Sequence, residues 1–351
     1  MSSTHKDIVV HADENTSLEA WKDFSFRFWE EQTQIIPEDK GRRLFHSGFY
    51  RSRALLYDLS ENDLNAYLSD YQSLRLQSIN QKYQTVLLDR VLCGHVMANY
   101  VEVEKNICMI SKNGAQWLEP PWWSVNSPSP SAVQLHSLAP DNYSHYRKIQ
   151  FSENSHSLEF QKAFINQLCE EAEEHNEVLI LSTPPTQHPW LTKLSPSGYH
   201  LLHVLLVREP EEGKPEIAAV SLTMSRKENQ SHALARVEEG ALSASLSPDT
   251  GLITACRALN KQGGIETYFQ HPDTAYAIVG EHLPNWPSIK QALLRFFDES
   301  SYLHICNLSF VVTETGVSFF GTSSDAIAAH QMHQPLLEHS GVANHANVIC
   351  G

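Results

Sequence analysis

Cationic side chains are scarce in this chain, glycine is thinly spread, and neither a paired cysteine motif nor a long apolar run occurs. Lys and Arg number 26 against 41 Asp and Glu, for a net charge of -15 over 351 residues. Phosphate-rich partners draw their affinity from Lys and Arg, so this balance argues against a general nucleic-acid or anionic-membrane surface. The cysteines Cys93, Cys108, Cys169, Cys256, Cys306 and Cys350 lie far apart, which speaks against a zinc ribbon and a disulfide framework and for reduced thiols. No apolar stretch reaches the roughly 18 residues of a membrane span, and no secretory leader is expected from the start of the chain. Gly-x-Ser-x-Gly, a Walker loop and His-Glu-x-x-His are all missing. A cytoplasmic globular protein with a hydrophobic fraction of 41% is expected.

The residues that are present alternate between two periodicities. Trp21, Phe24, Phe28 and Trp29 recur at helical spacing, and Ser60-Glu61-Asn62-Asp63 reads as a capping box ahead of a second helix bearing Leu64, Tyr67, Leu68 and Tyr71. Residues 100–118 read as strand, Lys-Asn-Gly turn, strand. Ser124 to Ser131 reads as a linker. Phe164, Ile165, Leu168, Cys169 and Ala172 mark a helix before the strand Val178 to Leu181, and His203 to Arg208 with Ile217 to Met224 form a hairpin. Pro287, Ile289, Ala292, Leu293, Phe296 and Phe297 describe a late helix with Asn285 as its cap. Helices alternating with antiparallel hairpins indicate an α+β fold.

Two apolar strands around Thr313-Glu314-Thr315-Gly316 close the pattern, preceded by His-Pro-Asp-Thr-Ala-Tyr-Ala-Ile-Val-Gly-Glu-His-Leu-Pro-Asn-Trp from His271 to Trp286. In that order, and with Tyr67 to Leu92 upstream, these pieces resemble ATP-grasp proteins of the sugar-transfer-associated, glutamate-ligase-related type. The resemblance covers most of residues 20–325 and implies an ATP-grasp-like fold: a helical N-terminal region with a hairpin (1–123), a first α+β subdomain after the linker (124–185), and a second with a C-terminal tail (186–351), both with antiparallel sheets. It further implies ATP with Mg²⁺ and a carboxylate–amine ligation, chemistry that needs cations and backbone amides around phosphate and hard oxygen ligands around the metal.

Station by station, this chain departs from what the resemblance implies. The metal-binding Asp, Glu and Asn positions fall on Ser309, Gly321 and Ser323. The phosphate-binding lysine falls near His136, in a stretch from Ala132 to Lys148 without glycine. The carboxylates that contact adenosine fall on Ser182 and Thr183, and the Asn-Thr-x-Arg element becomes His200-Leu201-Leu202-His203. Turn residues such as Asp249-Thr250-Gly251, Pro284-Asn285-Trp286 and Gly316 are kept. Frame residues remain where reactive groups are gone, so no catalytic residue and no metal ligand is assigned.

The expected function is therefore a non-catalytic scaffold or regulatory subunit, partnering an active ATP-grasp ligase or another enzyme of a biosynthetic pathway. A second expectation is an active ligase using displaced groups, with Glu266, Glu314 or Asp325 on the metal and Arg147 or Lys148 on phosphate. A third is a binding module whose cleft, lined by His136, His200 and His203, takes another ligand. Simpler readings cover the other signals. His200 and His203, three apart on a strand, point to opposite faces; His330, His333 and His339 lie in a tail-like segment and read as solvated rather than as a metal site. Cys169 with His175 reads as core rather than as a thiol nucleophile, and Trp117, Pro120, Pro121, Trp122 and Trp123 are either packing or a partner surface.

Overall fold

The structure, a computed structural model, describes residues 14–31, 36–57, 59, 63–119, 132–138, 146–151, 158–196, 198–209, 213–227, 234, 236–322 and 326–350. The Ser/Pro stretch, Trp122, Trp123, Ser323 and Asp325 lie outside these residues. Among the described residues no helix is long and apolar enough to cross a membrane.

Among the described residues thirteen strands form two sheets. In chain order they are β1 (Glu102–Val103), β2 (Asn106–Ser111), β3 (Gly114–Trp117), β4 (Ala132–Ser137), β5 (Arg147–Gln150), β6 (Leu179–Ser182), β7 (Leu201–Arg208), β8 (Pro215–Met224), β9 (Leu242–Leu246), β10 (Ile253–Leu259), β11 (Ile265–Thr267), β12 (Ile305–Val312) and β13 (Val317–Thr322). The larger sheet runs β1-β13-β12-β7-β8-β9-β10-β11 and the smaller β3-β2-β6-β4-β5. All pairings are antiparallel except β1 with β13. This is the expected α+β fold, and the Lys-Asn-Gly turn, the β7–β8 hairpin and the β12–β13 hairpin form as read. The β2–β3 hairpin enters the smaller sheet through β6, so that sheet draws strands from both sides of the Ser/Pro stretch.

Helix Leu158–Glu174 covers one face of the smaller sheet, burying Ile165, Leu168 and Ala172 against Val133, Leu135, Leu179 and Leu181. Helix Trp286–Glu299 does the same for the larger sheet with Trp286, Ile289, Leu293, Phe296 and Phe297, each buried side chain contributing about 1.5–3 kcal/mol relative to exposure. Trp286 explains the kept Gly251, whose φ is +70° and whose added Cβ would stand 2.4 Å from the Trp286 Cγ. Only glycine fits there.

Three local expectations need correction. The second N-terminal helix starts at Asp70, because the working capping box is Ser69 with Gln72; Asp63 caps only a single 3₁₀ turn, Leu64–Ala66. Asn285 precedes the late helix but makes no side-chain cap bond, its Nδ2 donating instead to the Glu314 carbonyl at 2.9 Å. The segment after β13 is not a solvated tail. Helices Ala326–Gln331 and Ser340–Cys350 dock on the larger sheet and on the N-terminal helices, burying His330, Met332, Leu336, Val342 and Ala346.

Candidate functional site

The two sheets meet where the sequence places its altered stations. In β4 and β6 the side chains alternate: Val133, Leu135, Leu179 and Leu181 pack under the helix, leaving Gln134, His136 and Ser182 on the opposite face. Arg90, at the start of helix Arg90–Met97, and Glu104, just after β1, reach the same place. An Arg90 Nη2 donates to Glu104 Oε2 at 3.0 Å, and the Ser182 hydroxyl donates to that oxygen at 3.2 Å. His136 Nε2 stands 3.2 Å from the same oxygen and 2.9 Å from Ser182 Oγ. Gln134 donates to Ser182 and to the Thr183 carbonyl, and accepts from Tyr146 Oη at 3.1 Å.

This network is nearly dry. Burial alone would raise the Glu104 carboxyl, but Arg90, with His136 as the next contribution, outweighs burial and holds it below the usual carboxylate range. Burial, seconded by Arg90, pushes His136 down to about 4, so its imidazole is neutral at pH 7. A neutral imidazole whose Nε2 faces a carboxylate carries its proton there.

Aromatic side chains fill the remaining space. Opposite the Ser309–Gly321 pair the β12–β13 register slips, with Phe310 facing Phe319, so Phe320 is the extra residue of a β-bulge. Bulges re-aim side chains. Here Phe319 joins the core under helix Trp286–Glu299, while Phe320 enters a cluster with Tyr146, Tyr199, Leu201, Leu234 and Val311. Phe320 lies 5.4 Å from the Tyr146 ring and 5.8 Å from His136, and the Arg90 guanidinium sits 4.4 Å over it.

Beside this cluster, Ser309 on β12 pairs with His203 on β7. His203 Nδ1 lies 2.8 Å from Ser309 Oγ and its Nε2 3.1 Å from Thr223 Oγ1. Burial pushes His203 down to about 3. The Gly321 position contributes no side chain, and a Cβ built there would stand 3.7 Å from Arg90 Nη1. A guanidinium thus adjoins the place where the resemblance puts a metal carboxylate. Two further histidines meet polar side chains of the larger sheet: His333 Nε2 approaches Ser243 Oγ at 3.1 Å, and His330 Nε2 approaches Asn307 Oδ1 at 3.4 Å.

The other predicted residues are dispersed. Thr183 Oγ1 accepts from the Lys105 backbone and serves as a clasp. His200 turns away from His203, to the Ser195 carbonyl at 3.1 Å, as the strand spacing predicts. Arg147 is held by Glu171 through two hydrogen bonds of 2.9 and 2.6 Å. Lys148 stands 5.9 Å over Tyr199. Glu266 bonds Asn260 and Tyr268 on β11, five strands from β12 and on the order of 24 Å away at about 4.8 Å per strand. Glu314 is exposed in the β12–β13 turn. Mg²⁺ needs oxygens at about 2.0–2.1 Å in near-octahedral array, a distance Glu266 and Glu314 cannot share. Among the described residues no three of His, Cys, Asp and Glu converge as metal ligands. Among the described residues, those around the stations do not fit Mg²⁺ and a triphosphate.

Arg90, Glu104, Tyr146 and Phe320 were not singled out from sequence. Only the carboxylate in Val101-Glu-Val-Glu104 carries any signal, and alternation alone does not distinguish its buried member.

Comparison with known proteins adds the following. The family described as "Sugar-transfer associated ATP-grasp" matches residues 145–320, half of the chain. No curated protein matches. Among solved structures, D-alanyl-alanine synthetase A from Vibrio cholerae aligns at 10% identity over 77% of this chain and 67% of that one, with a TM-score of 0.38. N5-carboxyaminoimidazole synthetase from Staphylococcus aureus aligns at 7% identity, 77% and 53% coverage and a TM-score of 0.36. A RimK domain ATP-grasp protein from Sphaerobacter thermophilus gives 12%, 80%, 70% and 0.33. Overlaps this loose carry no weight beside the family match.

Proposed function

Since the chain belongs to the sugar-transfer associated ATP-grasp family, we propose that it is a non-catalytic member, serving as scaffold or regulatory partner of a biosynthetic enzyme. One observation carries this reading: the space between the sheets is taken by Phe320 and Tyr146 and by the buried Arg90–Glu104–His136–Ser182 network. A phosphate site needs free cations and amides, yet Arg90 is spent on Glu104 and Arg147 on Glu171. An active ligase using Glu266, Glu314 or Asp325 would have to draw its metal ligands from separate places, since Glu266 lies on β11 and Glu314 in the β12–β13 turn. A protein partner has a candidate contact in helix Glu14–Glu30, where Leu18, Phe26 and Trp29 share one face with exposures of 51%, 67% and 65%.

Thermal unfolding with and without 5 mM MgATP tests the proposal. A site occupied at a hundredfold excess over its Kd would add about 2.7 kcal/mol of stability. The expected shift is nil, and no Mg²⁺-dependent ATP hydrolysis is expected. A clear upward shift, or hydrolysis lost on replacing a cleft residue, would overturn it.

A further inference from the structure

Between the N-terminal helices and β12 lies a cavity of about 70 Å³ that plays no part in the reading above. It opens along β12 beyond the end of its pairing with β13, at Leu308–Thr322, and only two residues from Ser309. Its walls are mostly aliphatic, among them Leu76, Leu205 and Ile327, with Gln84, Thr322 and, from β12, Cys306 and Asn307 as further members. The helix Asp70–Gln77 adds partly exposed Ser73 and Gln77, four apart on one face at the solvent side. Among the described residues no charged side chain lines it, although 67 of the chain's residues are Lys, Arg, Asp or Glu (26 and 41).

We propose that this cavity is a binding site for a small uncharged ligand with a short apolar body and an amide or hydroxyl end. Charge is excluded because an ion there would be desolvated without a partner. Size sets the body: an apolar cavity of roughly 150 Å³ holds benzene, so this one encloses on the order of three to five heavy atoms. Polarity sets the end, since Ser73 and Gln77 offer both donors and acceptors where the aliphatic walls give out. Asn80 keeps the wall in place, its Nδ2 donating to the Ile305 carbonyl at 2.8 Å and its Oδ1 accepting from the His304 backbone at 2.9 Å. The site is independent of the nucleotide stations and does not require them to be active or inactive.

Methyl NMR of the full chain labelled at isoleucine δ1 tests this, with butanamide as probe and butyrate and butylammonium as charged isosteres. Butanamide is expected to shift Ile305 and Ile327 saturably while Ile149 in the smaller sheet and Ile165 in the helix that covers it stay still. The charged isosteres are expected to leave all four unmoved. Leu76→Phe, which fills the space, is expected to weaken the response at least tenfold. Equal responses to all three probes, or none at Ile305 and Ile327 in the wild-type protein, overturn the proposal. The wild-type comparison holds even if the variant fails to fold, and ATP plays no part in it.

Discussion

The two faces of β12 were built from the same eight residues to different ends. Cys306, Leu308, Phe310 and Val312 sink into one apolar core beneath helix Trp286–Glu299. On the opposite face, Ser309 meets His203, Asn307 meets His330, and only Ile305 and Val311 are apolar. The polar face is dry but uncharged: hydroxyls, a carboxamide and neutral imidazoles pair with one another where the resemblance puts a carboxylate, although Ser221 Oγ, His330 Nδ1 and His333 Nδ1 have no hydrogen-bond partner among the described residues. Buried polarity that is paired can be kept at small cost, whereas an unpaired buried carboxylate would be strongly destabilising. A face can thus lose its charges and keep its polarity.

The largest expected effect separates the faces by pH. Burial holds His203 and His333 at about 3 and His136 and His200 at about 4, below the roughly 6.5 of an unfolded histidine. The unfolded chain therefore binds more protons throughout that window. Stability should fall as pH drops below about 6.5, by roughly 1.4 kcal/mol per pH unit for each such imidazole, until the folded values are reached. Urea denaturation at pH 7.5, 6.5 and 5.5 should show successive losses, and unchanged stability between 7.5 and 5.5 would contradict the neutral, buried state of these rings. Next comes the apolar face: Phe310→Ala should cost about 3–5 kcal/mol. Ser309→Ala should cost less, about 1–3 kcal/mol, because it strands His203 Nδ1. Denaturation of the two variants side by side measures the contrast, and a reversed order would break it. Smallest is Glu314→Gln in the exposed turn, expected within about 0.5 kcal/mol of wild type; a larger change in melting would point to a role that its exposure does not suggest.

Local pattern made much of this legible. The hairpins around Lys112-Asn113-Gly114 and Thr313 to Gly316 follow from alternation and turn residues, and the late helix from the spacing of Ile289, Leu293, Phe296 and Phe297. The altered stations Ser309 and His203 were legible through the family resemblance, and the strand register does bring them together. The closure was not. Phe319 and Phe320 look alike in sequence and point to opposite faces as strand neighbours do, but which of them joins the core is decided by the register slip after Ser309. Arg90 and Glu104 meet His136 across long sequence separations that no short window contains. His330 sits in a short Ala-rich helix whose burial depends on its landing on the sheet, so composition alone suggested solvent.

The docking of residues 326–350 bears on the order of assembly. Gln331 exchanges hydrogen bonds with the Leu68 backbone across 263 positions, and Ala346 and Ile349 share a cluster with Leu68 and Leu76. On a ribosome this segment emerges after all the strands, so the larger sheet must wait with its polar face open until synthesis reaches it. Contacts of such separation are slow to form, and sheets left uncovered during synthesis are prone to misassociate. The time between the emergence of β13 and the arrival of helix Ser340–Cys350 is then the interval in which a nascent chain most needs a chaperone.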